Sequence, residues 1–97
     1  MEVKIKAIHF DASEKLESFI NRKLEKLARR NEEIEKLDVT LKVVKPESAM
    51  NKEAGIKAVI PQVGEKFASK IADSFEEAID LAIDALEQQL GKAKKTK

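Results

Sequence analysis

The sequence predicts an α+β domain: a β-α-β-β-β-α two-layer sandwich, a four-stranded sheet with both helices on one face. Three observations carry this. Four short segments alternate apolar and polar residues with a period of two, as half-buried strands do. Two longer segments repeat apolar residues at spacings of three and four, as amphipathic helices do. Each of the six has a single apolar face, and one sheet with both helices on the same side buries all of them.

The elements justify themselves in order. Val3, Ile5 and Ala7 alternate with Glu2, Lys4 and Lys6, which predicts a first strand with its lysines on the open side. His9 is the single histidine, so it has no partner for a triad or a histidine metal site and is expected to be structural or exposed. Asp11 with Glu14 has capping-box spacing, and Ser13 is a second candidate cap. The helix that follows should run to about Arg30 with Leu16, Ile20, Leu24 and Leu27 as its core stripe.

Residues 31–35 read as a polar turn. Leu37, Val39, Leu41 and Val43 alternate with Asp38, Thr40 and Lys42 as a second strand, ended by the segment around Pro46. Residues 54–60 predict a third strand with Ile56, Ala58 and Ile60 inward. Residues 66–72 predict a fourth, with Phe67, Ser69 and Ile71 inward and Lys66 and Lys70 outward. The short connections among strands two to four predict an antiparallel meander. The first strand reaches its neighbour through a helical crossover.

The last helix should start at 73–75, where Asp73 with Glu76, or Ser74 with Glu77, has capping-box spacing. Phe75, Ile79, Ala82, Ile83, Leu86 and Leu90 share one face, and Gly91 fits the position just past the end. The domain is therefore expected to span residues 1–90, with 91–97 as a flexible basic tail. A chain of 97 residues makes one domain, with a core large enough to need no staples.

Composition excludes several functions. There is no Cys, hence no disulfide, thiolate nucleophile or cysteine zinc site. No apolar run approaches a membrane span, and the N-terminus lacks the layout of a signal peptide, so a soluble, cytoplasmic protein is expected. Asp80 and Asp84 share a helix face but have no histidine or thiol to complete a site, and no serine has an activating base. The three glycines form no phosphate loop. No catalytic residue, metal or cofactor is expected. Trp and Tyr are absent, which argues against a recognition surface of stacked bases.

Net charge is only +1, so any case for a polyanion partner rests on where the charges lie. On the first helix, Lys15, Arg22, Lys23, Lys26, Arg29 and Arg30 fall within one arc of roughly 120°, while Glu17, Asn21 and Glu25 take the opposite flank. The last helix carries Glu76, Glu77, Asp80, Asp84 and Glu87 outward, followed by Lys92, Lys94, Lys95 and Lys97. Acids at a helix start and lysines at its end suit the macrodipole, but the lysines continue beyond that need. The open sheet face is expected to carry Lys4, Lys6, Lys42, Lys57, Lys66 and Lys70, a pattern that solubility and edge protection explain.

The last helix resembles the C-terminal signature of the ribosome hibernation-promoting factor and ribosome-associated inhibitor family, some members of which are labelled sigma-54 modulation proteins. The residues that carry the likeness are Phe75, Ala78, Ile79, Asp80, Asp84, Leu86, Gln89, Leu90, Lys92 and Lys94. In the first helix, Lys23, Leu24, Lys26 and Leu27 resemble the family's Lys-Leu-x-Lys-Leu pattern. Ala85 stands where a lysine is usual and Glu87 beside it is acidic, which shifts weight to the tail. The resemblance implies a short-form member that does not pair ribosomes by itself. It implies binding to the small ribosomal subunit, on rRNA phosphates in the cleft of the tRNA and mRNA sites, which idles ribosomes under stress or in stationary phase. The residues expected to contact RNA are Arg22, Lys23, Lys26, Arg29 and Arg30, then Lys92, Lys94 and Lys95, with Gln89 as a further candidate. No membrane and no small-molecule substrate are expected. The alternative is a non-catalytic protein-binding module that uses the acidic last helix.

Overall fold

The computed structural model describes residues 2–44 and 49–95, with side chains through Leu90. The elements are β1 (Glu2–Ala7), α1 (Glu14–Arg30), β2 (Lys36–Val43), β3 (Lys52–Ile60), β4 (Gly64–Ala72) and α2 (Phe75–Lys95). The four strands form one sheet in the order β1-β2-β3-β4. β1 runs parallel to β2, and β2, β3 and β4 form an antiparallel meander. This is the expected α+β arrangement. The proline expected to end β2 lies outside the described residues.

The core lies between the sheet and the two helices. Leu16, Ile20, Leu24 and Leu27 of α1 are buried, as are Ile79, Ala82, Ile83, Leu86 and Leu90 of α2. They meet Leu37, Val39 and Leu41 of β2 and Ile56, Ala58 and Ile60 of β3. The periodicities therefore pick the inward faces of both helices and of β2 and β3. Truncating one of the fully buried side chains, such as Leu24, is expected to cost about 2–5 kcal/mol.

Side-chain caps set the helix starts. Ser13 caps α1, accepting from the Leu16 N–H at 3.1 Å. Ser74 caps α2, accepting from the Glu77 N–H at 3.1 Å. Asp73 is engaged elsewhere: its Oδ1 accepts from the Met50 N–H at 2.8 Å, tying the loop before β3 to the start of α2. In the β3–β4 turn the Val63 N–H donates to the Ile60 carbonyl, with Pro61 and then Gln62 at φ 73° between them. A proline followed by a positive φ is the pattern of a type II turn.

β4 faces the other way from its expected orientation. Ala68 and Ala72 are buried, while Phe67 and Ile71 are exposed. The physical reason is the neighbour: α2 packs against β4 and β3. Alanines recur among the buried residues of these elements, Ala54, Ala58, Ala68 and Ala72 on the sheet and Ala78 and Ala82 on the helix, beside larger ones such as Ile56, Ile79 and Leu86. Small side chains let the helix approach the sheet closely. Lys66 and Lys70 pair with Ala58 and Ala54 and so lie on the helix side, not on the open face. α2 also continues through Gly91 to Lys95. A glycine inside a helix costs about 1 kcal/mol relative to alanine but does not oblige it to stop.

Candidate nucleic-acid interface

The positive edge of α1 divides into two rows. Lys23 and Arg30 lie nearest the core stripe and reach α2. The Lys23 Nζ is 3.1 Å from Asp80, and an Arg30 Nη is 2.9 Å from Glu87. Both pairs advance by seven residues along both helices, so α1 and α2 run in the same direction, joined about 10.5 Å apart along their axes. Lys23 also sits 5.4 Å over the Phe19 ring, which covers the core edge.

Arg22, Lys26 and Arg29 lie farther round the helix and are exposed. Among the described residues, none of these three makes an ion pair. They follow one another at spacings of four and three, so positive potential accumulates along this row. The sequence places six bases on one arc; the tertiary packing assigns Lys23 and Arg30 to the helix interface and leaves Lys15, Arg22, Lys26 and Arg29 exposed. Each interhelix pair keeps one exposed partner, Asp80 in one and Arg30 in the other, and such a solvent-reached pair is worth about 0–1 kcal/mol. Lys23 and Arg30 are thus not sealed off from a stronger anion.

α2 contributes differently. Glu76, Glu77 and Asp84 remain exposed on its outer side. Gln89 reaches the edge of the sheet, where its Nε2 donates to the Phe67 carbonyl at 2.8 Å. This bond occupies a backbone acceptor of edge strand β4 and anchors α2 to it. Lys92, Lys94 and Lys95 belong to the last turns of the helix, and their side chains lie outside the described set.

Among the described residues no cluster of three or more His, Asp or Glu could hold a metal ion. No described helix is long and apolar enough to cross a membrane. His9 is exposed at φ 66°, in the turn between β1 and α1. The open face of the sheet forms a half-open groove between Lys4, Lys6, Lys57 and the exposed ring of Phe67. Sequence reasoning missed Phe67 there because β4 carries apolar residues at both parities. The available signal was Gly55, a strand-interior glycine beside which an aromatic can lie.

The family model described as sigma 54 modulation protein / S30EA ribosomal protein matches residues 3–97. The chain belongs to this family. S30EA-type chains are ribosome-associated, and that coarse assignment extends to this one. Solved structures share the fold. A ribosomal subunit interface protein from Coxiella burnetii is 22% identical, with a TM-score of 0.85 over 97% of this chain and 98% of that one. The Protein Y N-terminal domain from Thermus thermophilus is 22% identical, with a TM-score of 0.77 over 95% of this chain and 98% of that one. No curated protein matches the chain significantly.

Proposed function

We propose that this S30EA-family chain is a ribosome hibernation factor. It binds the small-subunit rRNA in the cleft used by tRNA and mRNA, in the cytoplasm, and blocks translation by idle ribosomes under stress or in stationary phase. The observation that carries the reading is the outer row of α1, where Arg22, Lys26 and Arg29 project from a rigid helix with no ion-pair partner among the described residues. Guanidinium and ammonium groups fixed in this way neutralise phosphates and position the protein without reading sequence. Lys23 and Arg30 join them by exchanging α2 carboxylates for phosphates. Lys92, Lys94 and Lys95 extend the contact from the end of α2, and Gln89 lies on the same helix. Occupying the cleft requires no reaction and no cofactor.

The test is co-sedimentation with ribosomes. The triple variant Arg22→Glu, Lys26→Glu, Arg29→Glu should lose association at low salt. Its stability should stay near the parent's, because exposed substitutions usually change stability by no more than about 0.5 kcal/mol each. The parent should be washed off as salt rises, since each phosphate contact contributes about 0.7–0.9 to the slope of log K against log salt. Retained low-salt binding by the triple variant would remove α1 from the interface. A parent that holds a protein partner in the absence of ribosomes would support the protein-binding alternative instead.

A further inference from the structure

The open face of the sheet has a second organised surface. Lys4, Asp38, Lys57 and Phe67 stand in register as one row from edge to edge. The next row is Lys6, Thr40, Gly55 and Ser69. Gly55 presents no side chain, and the Phe67 ring leans over the space: a Cβ at Gly55 would lie 3.1 Å from the ring's Cζ. Lys4, Lys6, Asp38, Thr40, Lys57 and Phe67 of these rows line a groove of about 320 Å³. Covering a strand glycine is a sufficient reason for the ring's tilt. It does not explain why 58% of Phe67 stays exposed at the end of a row that begins with a lysine.

We propose that this groove holds a segment of single-stranded RNA, with one base stacked on Phe67 and the backbone directed toward Lys4 and Lys6. The inference rests on the reading of the chain as a ribosome binder and deepens it by naming the form of RNA and a second contact surface. Charge selects the occupant. Lys4, Lys6 and Lys57 line the groove with Asp38, and Glu65 stands beside Lys57; Lys4 and Lys6 make no ion pair among the described residues. Lys57 is shared between Asp38 at 3.9 Å and Glu65 at 3.8 Å, and Lys36 also approaches Asp38 at 3.9 Å; these are long, partly exposed pairs that a phosphate can displace.

Geometry selects the strand over a free nucleotide. Phe67 and Lys4 are three strand spacings apart, about 14 Å, which is more than one nucleotide covers. A small ligand needs a concave site that encloses most of its surface. This groove is half open on the sheet face, the form of a stacking platform flanked by cations. A duplex presents no free base face to the ring. Phe10, Phe19 and Phe75 pack in or against the core, so Phe67 offers a single stacking position and not the multi-base surface that the absence of Trp and Tyr argues against.

The absence of tryptophan supplies the assay. Phe67→Trp in the full chain places one indole in the groove. A single-stranded RNA oligonucleotide should quench its fluorescence; a duplex of equal charge, and a mononucleotide at the same concentration, should not. In anisotropy titrations with the labelled single strand, Phe67→Leu should weaken binding roughly 5- to 100-fold, the range that loss of one aromatic stack gives. Leucine still covers Gly55, so the melting temperature should be near the parent's. Lys4→Gln with Lys6→Gln should lower the salt slope. Unchanged single-strand affinity in Phe67→Leu, or equal quenching by duplex or mononucleotide, would overturn the proposal. The α1 triple variant keeps the two readings separate: it should lose ribosomes yet keep single-strand binding in the groove.

Discussion

Asn31 shows how much one side chain carries at the end of a helix. It is the C-cap of α1 and is buried. Its Nδ2 donates to the Leu27 carbonyl at 3.0 Å, its N–H donates to Ala28, and its carbonyl accepts from Ile34. One polar residue thereby satisfies the helix end and starts the turn into β2. Asn31→Ala leaves the Leu27 carbonyl without that donor inside the protein and should cost about 1–3 kcal/mol. A urea titration checks this: the midpoint should fall with the m-value unchanged. From the sequence the residue reads as part of a polar turn, because burial of an asparagine depends on what closes over it. The caps teach the same lesson. Aspartate and serine candidates precede both helices, and the serines are used at both. At α2 the reason is visible, since Asp73 is bonded to a loop 23 residues earlier in the chain.

At the scale of elements, the pairing of α1 with α2 has a functional consequence. Asp80 and Glu87 compete with any phosphate for Lys23 and Arg30. Removing that competition should favour the polyanion. The double variant Asp80→Asn, Glu87→Gln is expected to hold ribosomes to higher salt than the parent. Its stability should fall by no more than about 1 kcal/mol for each ion pair removed. Ribosome washes over a salt series give the first number and thermal melts the second. An unchanged wash-off point would mean that Lys23 and Arg30 touch no phosphate. The helix faces were legible from residue spacing, because each turn of an amphipathic helix repeats the same decision about inside and outside. The face of β4 was not. Phe67 and Ile71 on one parity and Ala68 and Ala72 on the other are both apolar, and the face that packs against α2 is the one with the smaller pair.

Across the whole molecule, the cations form an edge on α1, a row on the open sheet and a lysine-rich end. The net charge of +1 hides this sorting, and only local potential reveals it. The helical backbone of α2 continues through Gly91 to Lys95, so the segment that carries Lys92, Lys94 and Lys95 belongs to the helix. Deleting residues 91–97 should flatten the salt dependence of ribosome binding, by about 0.7–0.9 in log–log slope for each phosphate that the tail neutralises. Filter or sedimentation titrations at several salt concentrations measure that slope. An equal slope in the truncated chain would exclude the C-terminal lysines from the phosphates.

Hydrophobic period is a local property, so residues 1–97 alone determined six elements, two layers and the inward faces of both helices. The resemblance to the S30EA family was equally local, held in side chains spaced along α1 and α2. Which bases face outward, which serve α2, and which side of β4 meets the helix were decided only by tertiary structure. Each depends on residues distant in sequence: Lys23 on Asp80, Arg30 on Glu87, Phe67 on Gly55. A charge or an aromatic ring acquires its role from what stands beside it, and that neighbour is chosen by the fold.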